Sequence, residues 1–171
     1  MEPWIILVPY DGSKQSDKAF TKAVELAVLI KKGGTKIEIN MLHVVPEIYV
    51  PPTLFDRDVN IKSKVTGERL TSQRYLKEYY HEMKSKAKKM LETKKSKEIE
   101  PANIMIRTYV TYGYPSDKIL EFSNKHQVNL IVIGSIGLTG FSRIKALGSV
   151  ARSISKSEGS CDDSSLVQLI A

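Results

Sequence analysis

The sequence predicts an α/β fold, a doubly wound parallel sheet sandwiched between helices. Three observations carry that reading. Short continuous apolar runs such as Trp4–Val8 and Leu130–Ile133 have the composition of strands buried on both faces. Longer segments between them place apolar residues at helical spacing. Strands and helices alternate along the chain, and right-handed crossovers then lay the strands parallel with helices above and below.

The elements follow in order. Trp4–Val8 forms the first strand and Pro9 ends it. Asp11-Gly12-Ser13 is a turn, and Ser13 or Ser16 caps a helix whose inner positions are Ala19/Phe20, Ala23/Val24 and Ala27/Val28. Lys31 and Lys32 suit its C-terminal dipole, and Gly33-Gly34 stops it. Ile37–Val45 is the second strand. Residues 46–69 hold Pro46, Pro51, Pro52 and several charges without a period, so they are expected to be a long connecting loop. Leu76, Tyr79/Tyr80, Met83, Ala87 and Met90/Leu91 mark a helix from about 70 to 97. Ile104–Val110 is the third strand, and Gly113-Tyr114-Pro115 opens a helix with proline in its first turn. Leu130–Ile133 is the fourth strand, Ser149 begins a last helix through Val150 and Ile154, and Leu166–Ile170 is a candidate fifth strand. A single domain over residues 1–171 accommodates all of them.

Composition narrows the function classes. The single cysteine, Cys161, excludes an intrachain disulfide. No apolar run approaches the roughly 20 residues of a membrane helix. Met1-Glu2-Pro3-Trp4 does not read as a secretory signal, so a cytoplasmic protein is expected. The net charge of +7 concentrates in residues 51–100, which carry 13 Lys/Arg against 8 Asp/Glu. These charges are interspersed with acids along a helical pattern and read as a solvated helix face. A nucleic-acid patch is the weaker alternative, since no arginine–aromatic signature accompanies it.

Open α/β sheets bind ligands beyond the carboxyl ends of their strands, where the strand order reverses. Two strand ends here have suitable chemistry. One is Pro9-Tyr10-Asp11. The other is Gly134-Ser135-Ile136-Gly137-Leu138-Thr139-Gly140, with glycine at every third position, followed by Gly148-Ser149 directly ahead of a helix. Glycines let backbone N–H groups approach a phosphate, and a helix N-terminus adds about half a positive charge. Asp11 could accept a hydrogen bond from an adenine amino group or a ribose hydroxyl. Glycines also serve plain turns, and neither G-x-x-x-x-G-K-[ST] nor a G-x-G-x-x-G after the first strand is present. His43, His81 and His126 lack metal-ligand spacing, and His43 reads as a structural histidine. No nucleophile elbow surrounds Ser135 or Ser142. Tyr75, Tyr79 and Tyr80 read as core and helix surface rather than a base-stacking platform.

Val8-Pro9-Tyr10-Asp11-Gly12-Ser13, Leu42-His43-Val44-Val45, Gly113-Tyr114-Pro115, Ile131 to Gly140 and Leu147-Gly148-Ser149-Val150-Ala151 resemble the universal stress protein family, from Trp4 to about Ile154. The resemblance implies a five-stranded parallel sheet in the order 3-2-1-4-5 and the nucleotide motif G-2x-G-9x-G-[S/T]. It also implies a site for ATP or AMP, with Mg²⁺ accompanying the phosphates. Asp11 and the backbone of Val44 would then meet the adenine beside Pro9, and Gly134 would meet the ribose. Gly137, Gly148, Ser149 and the N–H of Val150 would hold the phosphates. Ten residues, 138–147, stand where the motif has nine; a bulge between Phe141 and Leu147 is expected to absorb the extra one, the alternative being that Ser149 is misaligned with Gly137. The family pairs its last strand across a homodimer axis. Here residues 157–171 lack the usual proline and insert a polar segment. With no general base near the expected γ-phosphate, and no arginine finger beyond Arg143, at most slow hydrolysis is expected. The competing reading is an interaction module of the same fold that binds no nucleotide.

Overall fold

The computed structural model describes residues 3–31, 34–51, 53, 58–64, 66–97, 104–134, 150, 152 and 166–170. The elements are β1 (Trp4–Pro9), α1 (Lys14–Lys31), β2 (Ile37–Val45), β3 (Asp58–Lys62), β4 (Arg69–Thr71), α2 (Ser72–Lys97), β5 (Ile104–Tyr112), α3 (Pro115–Lys125), β6 (Leu130–Gly134) and β7 (Leu166–Ile170). The main sheet runs β5-β2-β1-β6-β7, all parallel; counted within this sheet, these are its third, second, first, fourth and fifth strands.

The layering follows from the direction of travel. From β1 through β2 to β5 the chain moves one way across the sheet, so crossovers of one hand put α1 and α2 on the same face. From β5 it returns past β1 to β6, and the same hand puts α3 on the opposite face. Two cores result. Ile6, Val8, Ile37, Ile39, Met41 and Ile106 pack with Phe20, Ala23 and Leu91 of the first pair of helices. Leu7, Leu42, Ile131 and Ile133 pack with Ile119 and Val128, and Val150 leans on this second core. β1 therefore needs apolar residues at successive positions, and Ile6, Leu7 and Val8 are all fully buried.

Local chemistry sets the helix ends. Ser13 caps α1: its Oγ accepts from Ser16 N–H at 3.1 Å, while Ser16 Oγ donates to the Ser13 carbonyl at 2.9 Å. Gly34, at φ +84°, donates its N–H to the Lys31 carbonyl and turns the chain out of α1. Pro115 sits in the first turn of α3. Tyr75, Tyr79, Tyr80 and Tyr112 contact one another in series, with centroids 5.3–6.4 Å apart, and the Tyr80–Tyr112 pair joins α2 to β5. That use agrees with a packing role.

Residues 46–69 are not wholly loop. β3 and β4 form a short antiparallel ribbon, anchored by the buried Leu70. Between them, Gly67 at φ +74° donates to the Ser63 carbonyl, and Ser63 Oγ donates to Glu78 of α2 at 2.7 Å. With one buried side chain in a three-residue strand, there was little period to read.

Asn40 is the exception within the core. It lies in β2 between Leu7 and Arg107, fully buried, and neither amide atom has a hydrogen-bond partner among the described residues. An unsatisfied buried polar group costs about 1–3 kcal/mol. Asn40→Leu, of similar shape, should therefore raise the thermal midpoint by several degrees. A lower midpoint would mean that the amide is satisfied by buried water.

Candidate functional site

The strand order reverses between β1 and β6, opening a crevice above their carboxyl ends. Pro9 ends β1, and its register partner in β2 is Leu42. Tyr10 N–H donates to the Leu42 carbonyl at 2.8 Å, prolonging the ladder by one residue. Asp11 then leaves the sheet. Its Oδ1 accepts from Ser13 N–H at 2.9 Å, an Asx turn that Gly12 permits by adopting φ +80°. A Cβ at Gly12 would also stand 2.8 Å from Met90 Sδ.

Gly134 closes β6 on the other side of β1. A Cβ there would lie 2.9 Å from Gln15 Cβ and 3.0 and 3.1 Å from the Gln15 carbonyl carbon and oxygen. No side chain fits between β6 and the first turn of α1, so the two backbones approach directly. Gln15 Oε1 is itself buried and has no hydrogen-bond partner among the described residues. Val44 is half-buried near the end of β2 and packs against the second core with Val150. Pro9, Asp11, Val44 and Gly134 thus lie at the carboxyl ends of three adjacent strands. Val150 and Arg152 are helical. Gly137, Gly148 and Ser149 lie outside the described residues.

Tyr10 was not singled out from the sequence as a functional residue, yet it anchors this turn. Its buried ring belongs to the first core, and its hydroxyl donates to Asp17 Oδ1 at 2.7 Å. Lys94 of α2 reaches the same oxygen at 3.2 Å and lies over the Phe20 ring. Partial burial works against the charged Asp17 carboxylate. The phenol hydrogen bond, the Lys94 contact and the more distant Lys97 charge outweigh it and hold the pKa below its ordinary value. On the other side, His43 Nδ1 lies 2.8 Å from the Tyr10 carbonyl oxygen. Carbonyl oxygen only accepts, so Nδ1 carries the hydrogen. No local pattern signals the two longer contacts, His43 with Tyr10 across 33 positions and Lys94 with Asp17 across 77.

Elsewhere the basic charge of α2 is interleaved with acids. Lys86 and Lys64 share Glu82, Arg74 faces Glu68, and Lys94 faces Asp17. Among the described residues no group of three or more His, Cys, Asp and Glu is arranged to hold a metal ion. No described helix is long and apolar enough to cross a membrane.

The doubly wound sheet with a crevice at its switch point defines the class of protein. Residues 5–157 match the universal stress protein family, and the chain belongs to it. It is 32% identical over 151 residues to the universal stress protein YxiE of Bacillus subtilis, covering 88% of this chain and 90% of that protein. The fold is similar to that of protein MJ0577 of Methanocaldococcus jannaschii, with a TM-score of 0.69, 21% identity and coverage of 98% and 96% of the two chains. A universal stress protein family member from Arabidopsis thaliana, solved with AMP bound, superposes with a TM-score of 0.55 at 15% identity, covering 99% of this chain and 93% of that one.

The Asp17 contacts have a pH signature. A carboxyl whose folded pKa is depressed stabilises the protein fully above its unfolded value, about 3.9, and loses that contribution as pH falls through the folded value. Asp17→Asn should therefore lower the thermal midpoint at neutral pH. The gap from wild type should narrow steadily below about pH 4. A gap independent of pH would show that the carboxylate charge is not what matters.

Proposed function

We propose that the crevice between β1 and β6 binds an adenine nucleotide, ATP or AMP, and that the protein works as a nucleotide-responsive stress or signalling protein. The observation that carries this reading is the convergence of Asp11 with Gly134 at adjoining strand ends. It puts a carboxylate acceptor beside a backbone that nothing larger than glycine allows to come so close. The segment from Ser135 to Ser149 supplies glycines and a serine ahead of the helix containing Val150, the composition of a phosphate-binding helix N-terminus. The AMP bound to the Arabidopsis relative supports the same ligand class.

In this reading the Asp11 carboxylate and the Val44 backbone face the base beside Pro9, and Gly134 meets the ribose. Gly137, Gly148, Ser149 and the Val150 N–H hold the phosphates, with Mg²⁺ on the phosphate oxygens when ATP is the ligand. Among the residues assigned to the site, Asp11 is the sole carboxylate, and it is placed at the base. The protein is thus a binder that turns ATP over far more slowly than the roughly 1–100 s⁻¹ of kinases.

Titration calorimetry with Mg-ATP and with AMP tests the reading. Wild-type protein should give saturable heat with at least one of them, and Gly137→Val or Gly148→Val should abolish it by blocking the backbone approach. No heat from wild type, and no nucleotide released from purified protein by acid, would reject the site.

β7 ends the sheet and pairs only with β6 among the described strands, leaving an edge on which a second copy can add. A homodimer through that edge is part of the proposal. Sedimentation equilibrium should return twice the 19.2 kDa chain mass, and a monomer at all accessible concentrations would exclude it.

A further inference from the structure

We propose that His43 is a positioning residue that sets the base specificity of the crevice, by fixing the carbonyl of Tyr10 and through it the Asp11 carboxylate. The inference rests on the adenine-site reading and adds to it a residue that does not itself need to touch the ligand.

Tyr10 is the last residue held by the sheet, and its three polar groups go in three directions. Its N–H is tied to the Leu42 carbonyl of β2, its hydroxyl to Asp17 of α1, and its carbonyl to the imidazole of His43. The first two contacts fix where the residue sits and where its ring points. The third fixes the plane of the peptide that joins Tyr10 to Asp11, because the carbonyl oxygen and the Asp11 N–H belong to one rigid unit. Rotation of that unit would swing the Asp11 Cα and its carboxylate over the crevice. The Asx turn to Ser13 constrains Asp11 from the C-terminal side, and the following Gly12 is the flexible member of the turn. The imidazole therefore holds the N-terminal side.

The chemical consequence concerns the 6-position of a purine. An ionised carboxylate only accepts hydrogen bonds. It pairs with the 6-amino group of adenine and is repelled by the 6-oxo group of hypoxanthine. Sites built to hydrogen-bond a ligand N–H reject the analogue lacking it far more strongly than apolar contact can. That rejection depends on placing the carboxylate to a few tenths of an ångström, which is what the His43 contact provides.

The test compares ATP with inosine triphosphate on the full chain by titration calorimetry, reading the ratio of the two dissociation constants within each variant. A loss of stability or of phosphate contacts weakens both ligands together and leaves this ratio unmoved. Wild type should prefer ATP by about tenfold or more. His43→Phe keeps a ring but removes the donor, and the preference should fall to within about threefold. His43→Asn carries an amide nitrogen at the same bond distance from Cβ as the imidazole Nδ1, and it should retain most of the wild-type ratio. In an Asp11→Ala background, His43→Phe should change the ratio no further. The inference is overturned if His43→Phe keeps the wild-type preference, if His43→Asn behaves like His43→Phe, or if the two substitutions act additively. Wild type that binds both triphosphates equally overturns it while leaving the nucleotide site standing. Wild type that binds neither removes the site reading and this inference together.

Discussion

The position of β1 is the constraint on which the rest of the structure depends. It is hydrogen-bonded to β2 on one edge and to β6 on the other, and it is covered by helices on both faces. A strand so placed has no solvent-facing side chains, which accounts for the unbroken run Ile5-Ile6-Leu7-Val8. It is also the strand from which the chain departs one way and to whose other side it later returns. The helices following those two departures lie on opposite faces, so no crossover passes over the carboxyl end of the β1–β6 pair. The crevice is thus a by-product of topology, and only its lining had to be supplied by particular residues.

That lining divides into two kinds of chemistry. The half around Asp11 is built from specific side-chain contacts drawn from four elements: the Ser13 cap of α1, the His43 imidazole of β2, the Tyr10 ring at the end of β1 and, through Asp17, Lys94 of α2. The half beyond Gly134 is rich in glycine and serine by sequence, and the chemistry proposed for it is that of backbone N–H groups. The magnitudes suit different tasks. A hydrogen bond to a charged group contributes about 1.5–3 kcal/mol and depends steeply on geometry. The field of a helix N-terminus contributes about 0.3–1 kcal/mol at exposed sites, up to about 2 when partly buried, and tolerates variation in the anion. In the proposed site, discrimination between bases therefore falls to the rigid half, and attraction for phosphate to the glycine half.

This division also explains what could be read from the sequence. The strands of the main sheet and the helices were legible because burial on both faces, or on one stripe, leaves a periodic trace in the residues themselves. The Asp11-Gly12-Ser13 turn was legible because its chemistry is local, with an Asx acceptor, a residue at positive φ and a hydroxyl cap within six positions. β3 and β4 left no trace, since the ribbon presents a single buried leucine in its shorter strand. β2 misleads in a different way. Glu38 and Asn40 alternate with Ile37, Ile39 and Met41 as though one face met water, yet both are buried. Arg107 reaches Glu38 from the neighbouring strand at 3.2 Å, a pairing between positions 69 residues apart that no pattern within β2 announces. His43 was correctly read as structural in the sense that its ring nitrogen is satisfied. What it is attached to could not be read, because the partner is a carbonyl 33 residues away.

The basic surface of the chain fits the same logic. A net charge of +7 invites a polyanion as ligand, but attraction requires that the charges be gathered and unpaired. Along α2 several are neither: Glu82 draws Lys64 and Lys86, Glu68 faces Arg74, and Lys94 turns inward to Asp17. Lys94 is mostly buried while its partner is half-exposed, so the ammonium has given up more solvent than the carboxylate. A surface lysine gains little from such a trade, since exposed ion pairs contribute about 0–1 kcal/mol. Lys94 gains more because its stem packs beside Phe20 and its head meets an oxygen already oriented by the Tyr10 hydroxyl. One of the cations that make this chain basic is therefore spent on holding α2 against the turn that carries Asp11, and the excess charge is in part a structural feature of the crevice.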